Sequence, residues 1–265
     1  DVHSLKTGAQ GNRLCLQCHP AAVYDTPAHH FHKPEGAHGT PIRDQEGKVL
    51  FPVGSGAQCV QCHMPGRLYM GIDYRPDHSF RIPRPDLSLD TETPNACNRC
   101  HWNKDARWAD DAMTKWYGPG RANHYGSTLA AGRRQIAEAG DDLIRLAGDP
   151  LYPVIVRATA LNLLRQYPGT ATAAAISKAA GDPEALIRHS AVSQFSLLPP
   201  ETRLALLTGL LFDPVSAVRM EAANQLTALP ELALTADQAR AHETSLAAYI
   251  DAMTYNADFS FGRFN

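Results

Sequence analysis

The sequence predicts a mainly α-helical chain in two parts, a loop-rich segment over residues 1–125 and a helical-repeat domain over residues 126–265. Three observations predict it. All six cysteines fall in three copies of one five-residue motif, and all three copies lie in the first part. Ten of the 12 histidines and eleven of the 19 prolines lie in residues 1–124, whereas 28 of the last 140 residues are alanine. An Asp-Pro pair recurs at Asp149, Asp182 and Asp213, spaced by 33 and then 31 residues, and helical periodicity follows each.

With 265 residues, 44% of them hydrophobic and 20% charged, the chain can bury a core and does not have the composition of a disordered one. A net charge of −2 supplies no overall basic field for nucleic acid or anionic lipid. No apolar run approaches a membrane span. No leader opens the chain, so an exported, processed form is expected.

The repeated motif is Cys15-Leu16-Gln17-Cys18-His19, Cys59-Val60-Gln61-Cys62-His63 and Cys97-Asn98-Arg99-Cys100-His101. Two thiols three positions apart can each add to one vinyl group of a haem. The adjacent histidine is then held under the ring as the proximal iron ligand. Three covalent c-type haems are therefore expected, on Cys15, Cys18, Cys59, Cys62, Cys97 and Cys100, with His19, His63 and His101 as proximal ligands. A zinc site built from two Cys-x-x-Cys pairs would orphan the third and need no histidine after each. Redox Cys-x-x-Cys pairs belong in a βαβ setting that this sequence lacks. Disulfides within such pairs would close almost no loop.

The rest of the first part reads as extended loop, notably Pro34–Pro41 and Pro76–Pro85. Covalent porphyrins would supply the apolar bulk that such a segment lacks. Three low-spin haems need three distal ligands. His78, in a Pro-flanked loop beside Asp77, is one candidate. His29 and His32 would share a face if their segment is helical, and His3 lies close enough to Cys15 to fold back over a haem. His30 and His124 are weaker alternates, while His38, His189 and His242 read as solvated. Among methionines, Met64 sits too close to its proximal histidine, and Met70 reads as packing against a ring. Trp108 and Trp116, eight residues apart, fall near one helical face that could cover a haem. Trp102 lies close by.

In the second part Val154, Ala158, Leu161 and Leu164 repeat at helical spacing, as do Ile187, Ala191, Phe195 and Leu198. Val215, Val218, Ala222, Leu226 and Leu229 do the same. Aspartate suits an N-cap and proline a first turn, so each Asp-Pro pair is expected to start a helix. The first unit carries two extra residues around Leu151–Tyr152. A period near 32 with two helices per unit means a stacked helical solenoid. It resembles the HEAT family, in which the aspartate and arginine of this header typically link neighbouring repeats, over roughly residues 143–230. A last helix, about 236–255, is expected to cap the stack through Leu246, Ile250 and Met253.

Residues Asn12–Arg134 resemble a group of periplasmic multihaem cytochromes, through Cys59–Tyr69 (CVQCHMPGRLY), Asp77–Leu87 (DHSFRIPRPDL), Thr93–His101 (TPNACNRCH) and Trp108–Gly118. In that group the haem segment is followed by HEAT-like and then tetratricopeptide repeats. The resemblance implies covalent haem c, export before haem attachment, and electron transfer. Longer relatives carry further haem sites upstream, ending in a motif followed by a His-Ser pair like His3-Ser4. The loop between Lys33 and Ala57 is longer than usual. These departures suggest a piece of a longer chain, or a short member whose His3 ligates a haem of a neighbouring subunit.

The expected function is electron transfer between redox proteins or cytochrome subunits. The repeats would serve as a docking or assembly surface, in a homo-oligomer or filament and in the periplasm or outside the cell. Two other readings remain open. One is a multihaem oxidoreductase acting on a small nitrogen or sulfur species at an open haem, with Arg67, Tyr69, Arg81 and Arg84 near it. The other is a haem-bearing scaffold.

Overall fold

Proline and glycine interrupt the N-terminal part so often that no helix described before Pro85 exceeds five residues. The structure, a computed structural model, describes residues 7–229 and 234–259. His3 therefore lies outside the described residues. The chain is mainly helical and divides into two units, Asp1–Ala122 and Asn123–Asn265.

In the first unit α1 is Asn12–Cys15, α2 Ala21–Tyr24, α3 Pro27–His30, α4 Cys59–His63, α5 Pro85–Thr91, α6 Cys97–Cys100 and α7 Ala106–Tyr117. Two small antiparallel hairpins join them, β1 (Ile42–Arg43) with β2 (Val49–Phe51), and β3 (Gly66–Tyr69) with β4 (Asp73–Pro76). The second and third Cys-x-x-Cys pairs each fall on one short helix, α4 and α6, whereas Cys15 ends α1 and Cys18 follows in a turn closed by its N–H on the Cys15 carbonyl at 3.1 Å. Polar staples hold these turns. Asn12 donates to the Asp25 carboxylate (2.8 Å) and the Ala57 carbonyl (2.9 Å), and accepts from the Cys59 N–H (2.9 Å). Asn98 donates to the Lys104 carbonyl at 2.9 Å, and Asp105 caps α7 through the Trp108 N–H at 2.8 Å. Arg121 bridges Asp86 (3.0 Å) and Asp110 (2.5 Å), tying α5 to α7.

The apolar core lies elsewhere. Among the described residues, only Ala109 of the buried hydrophobic side chains belongs to the first unit. The rest belong to the second, built from α8 (Tyr125–Arg133), α9 (Ala139–Gly148), α10 (Val154–Leu163), α11 (Thr170–Ala179), α12 (Ala185–Val192), α13 (Pro200–Leu210), α14 (Ser216–Thr227) and α15 (Ala236–Tyr255). Here α10 packs on α9 and α12, α12 on α14, and α14 on α13 and α15. Ile187, Ala191, Phe195 and Leu198 are buried, as are Ala158, Leu161, Leu164, Val218, Ala222 and Leu226. Val215 is the exception on its predicted face. It precedes α14 as the cap residue and is half exposed.

The Asp-Pro pairs do not cap helices. The cap positions are Pro153, Glu184 and Val215. Each aspartate instead closes a turn by accepting the N–H two residues on: Leu151 for Asp149, Glu184 for Asp182 and Val215 for Asp213, all at 2.8–2.9 Å. One oxygen closes the turn while the carboxylate still meets an arginine from the preceding header. Arg157 reaches Asp182 at 2.5 Å, and Arg188 grips Asp213 with two bonds of 2.6 and 2.9 Å. Arg188 and Arg219 also donate to the carbonyls of their own Asp-Pro pair. Arg157 uses the Ala147 carbonyl instead (3.0 Å), because Leu151 and Tyr152 lengthen its header.

The last helix has the predicted span but a shifted face. Ile250 is 54% exposed, while Ala241 and Leu246 pack on the core and Ser245 is buried. His242 is not solvated: its Nε2 bonds the Ala223 carbonyl at 3.1 Å, tying α15 to α14.

Arg188→Ala would leave the buried Asp213 carboxylate without its cation, and is expected to cost about 3 kcal/mol in chemical denaturation of the full chain. The hydrogen bonds from Arg188, opposed by burial, hold Asp213 below its ordinary 3.8. The folded value is the lower one, so this stabilisation is complete above 3.8 and fades as pH falls through the folded value. Asp213→Asn is expected to weaken the unit at neutral pH and to remove that acid-dependent loss.

Candidate functional site

The three motif histidines and the cluster at residues 29–32 meet inside the first unit. The His29 and His63 rings lie 6.2 Å apart, centroid to centroid, with planes 4° from parallel. The His32 and His101 rings lie 6.3 Å apart at 35°. Rings so far apart make no face-to-face contact. A ring nitrogen binds a metal at about 2 Å and sits roughly 1 Å from its ring centre. Two imidazoles on opposite faces of one iron therefore hold their centres roughly 6 Å apart.

Local chain geometry creates two pairs rather than one. Helix α3 ends at His30, and Phe31 takes a left-handed conformation with φ 55°. His29 and His32 therefore do not share a helical face as expected, but serve different partners. Phe31 is held by a parallel stack on Trp116 at 4.6 Å and an edge contact with Tyr117 at 5.6 Å.

Ring hydrogen bonds sort the candidates by tautomer. His63 Nδ1 meets the Arg81 carbonyl at 2.9 Å, His78 Nδ1 meets the Pro76 carbonyl at 2.9 Å, and His32 Nδ1 meets the His30 carbonyl. A carbonyl only accepts, so Nδ1 carries the proton and the Nε2 lone pair is left for a metal. His30 and His124 are the reverse. Their Nδ1 atoms accept from the His32 N–H (3.1 Å) and the Gly126 N–H (3.0 Å), which places the proton of a neutral ring on Nε2. His124 is the cap of α8, in the second unit. His78 sits in an exposed loop.

Burial, and after it the neighbouring His63, pushes His29 below its ordinary 6.5. Burial, then His32 and Lys104, does the same for His101. Both effects favour neutral imidazoles, the form that ligates.

Cys97, Cys100 and His101 open onto a cavity of about 330 Å³ with His32 across it and Trp108 and Trp116 among its walls. That volume falls in the range of small-molecule pockets, about 300–1,000 Å³. Trp108 packs on His101 at 4.8 Å. The tryptophans thus lie on one helix and line one cavity, whereas Trp102 is 60% exposed. The 33–57 loop contributes a wall as well, through Ile42, Phe51 and Val53. Gly56 makes room for His32, because a Cβ there would meet the ring at 2.3 Å. Nothing in the sequence marks this role of Gly56, or that of Tyr24, whose ring touches His19 (5.4 Å) and His29 (5.3 Å) edge-on.

Among the described residues no three His, Cys, Asp or Glu side chains converge as a metal cage requires. The cysteines lie in three separate chain segments, two residues in each, an arrangement suited to three attachments.

The Cys62 thiol is pushed up to about 11, first by burial and then by Cys97 and Cys100. In the cofactor-free chain it is expected to be the slowest of the six to alkylate at neutral pH, with a rate that climbs until about 11. Mass-spectrometric mapping of iodoacetamide adducts checks this. Compared against known protein families, curated proteins and solved structures, the chain matches none.

Proposed function

We propose that this chain is an electron-transfer protein carrying three covalent c-type haems. The paired imidazoles, His29 with His63 and His32 with His101, carry the reading, because their spacing suits two axial ligands of one iron. The missing side-chain core of the first unit supports it as well. A segment of this length with so few buried apolar residues depends on a bound group to organise it.

Cys15 and Cys18, Cys59 and Cys62, and Cys97 and Cys100 hold the three groups, with His19, His63 and His101 as proximal ligands. His29 completes the second site and His32 the third. For the first, the candidates are His78, whose Nε2 is left for a metal, and His3. Bound haem supplies one-electron exchange at iron. The protein holds the imidazoles in the ligating tautomer, seals the third site with Trp108 and Trp116, and tunes polarity through burial. With His29 and His63 holding one group, and His32 and His101 another, the second and third sites would offer no open position to a substrate. That favours conduction over an oxidoreductase at those two.

We assign the second unit as a HEAT-like solenoid. The arginine–aspartate pairs that link successive headers, and the sequential stacking of α10, α12 and α14, support this. Its extended faces would dock redox proteins or further cytochrome subunits, including copies of itself. Covalent haem attachment places the protein in the periplasm or outside the cell. Among the described residues no helix is long and apolar enough to cross a membrane.

A chemical haem count of three is expected, with low-spin EPR signals from the sites of His63 and His101. Gly56→Ala should drive His32 off its iron. One haem is then expected to become high-spin with haem content unchanged. A variant whose EPR matches the wild type would sink the assignment of His32.

A further inference from the structure

We propose that the three attachment sites form a linear series in sequence order, with the Cys59–Cys62–His63 site in the middle and sharing a wall with each neighbour. This rests on the haem reading above and goes beyond it, since motif order along a chain does not dictate order in space.

Three contacts join the first and second sites. Asn12, which opens α1, takes the backbone N–H of Cys59 at 2.9 Å and donates to the carbonyl of Ala57. The Cys15 side chain neighbours that of Cys59. Tyr24 stands between His19, the proximal histidine of the first site, and His29, the distal histidine of the second.

A separate set joins the second and third sites. Gln61 and Cys62 line the same cavity as Cys97, Cys100 and His101. Their distal histidines, His29 and His32, are three residues apart, which bounds their backbone separation at about 10 Å. Tyr117, on the helix that carries Trp108 and Trp116, donates its hydroxyl to the His29 carbonyl. The first site is left out of this arrangement, because among the described residues none before His32 lines the cavity of the third. Cys18 and His19 are instead exposed. The middle site is thus enclosed by its neighbours, and exchange with redox partners belongs to the two end sites.

Pulsed EPR of the fully oxidised holoprotein reads the order as iron–iron distances. The wild type is expected to give two short distances and one long. Replacing the middle attachment (Cys59→Ser with Cys62→Ser) is expected to abolish both short distances and keep the long one. A short distance that survives in that variant, or three similar distances in the wild type, overturns the order. Should the double variant fail to fold, His29→Met keeps all three attachments and raises the potential of the middle haem. Poised so that this haem alone is reduced and EPR-silent, the sample should again show only the long distance, and a surviving short one overturns the proposal. A haem count other than three would instead overturn the underlying haem reading, so the two failures are separable.

Discussion

Two neutral imidazoles whose centres stand 6.2 or 6.3 Å apart gain little from each other, and their mutual effect on protonation is repulsive. Their spacing must therefore be imposed by what holds each ring. His63 is fixed by the carbonyl of Arg81, and His32 by the carbonyl of His30 and the bare Cα of Gly56. His29 is braced by the edge of Tyr24, with its carbonyl bound by Tyr117. Ligands held in advance by such supports lose little freedom when a metal enters between them.

The two units meet the cost of ordering a chain by different means. In the second, buried leucine, isoleucine, valine and alanine form two clusters, with arginine–aspartate pairs between headers. Those pairs add register more than stability, because desolvating both charges offsets most of their attraction. The first unit has no comparable cluster, and its large apolar side chains, Leu68, Met70, Ile72, Phe80 and Ile82 among them, stand exposed. Hydrogen-bonded turns and ion pairs alone do not offset the backbone entropy of such a segment. Bound porphyrins, with their large apolar faces, would.

How much was legible in the sequence follows the same division. Helical periodicity names buried positions because a helix in a packed stack shows one face inward, and Phe195, Leu161 and Leu226 lie where their spacing puts them. Where a helix has one neighbour the signal weakens, which is why Ile250, expected to pack, stands exposed on α15. The Asp-Pro pairs were legible as headers but not as turns, since aspartate suits both an N-cap and a two-residue turn. In the first unit the cysteine motifs read directly as a repeat, whose spacing covalent haem attachment would explain. The partners of the motif histidines did not. Their selection depends on ring tautomers and on contacts between residues far apart in sequence, such as Tyr117 with His29, 88 positions away.

The segment His29-His30-Phe31-His32 shows how one backbone conformation sets two ring pairs. Continued as helix, it would turn His29 and His32 toward the same side. The left-handed step at Phe31 sends them to different partners, at a cost of about 1–2 kcal/mol for a residue with a side chain. The ring of that same residue recovers it, since its stack on Trp116 and its edge contact with Tyr117 contribute about 1 kcal/mol each. Trp116 also walls the cavity of the third site, and Tyr117 holds the carbonyl of His29. The aromatic contacts that stabilise the strained step are thus the ones that hold His29 opposite His63 and His32 opposite His101, so the geometry of one pair cannot change without disturbing the other.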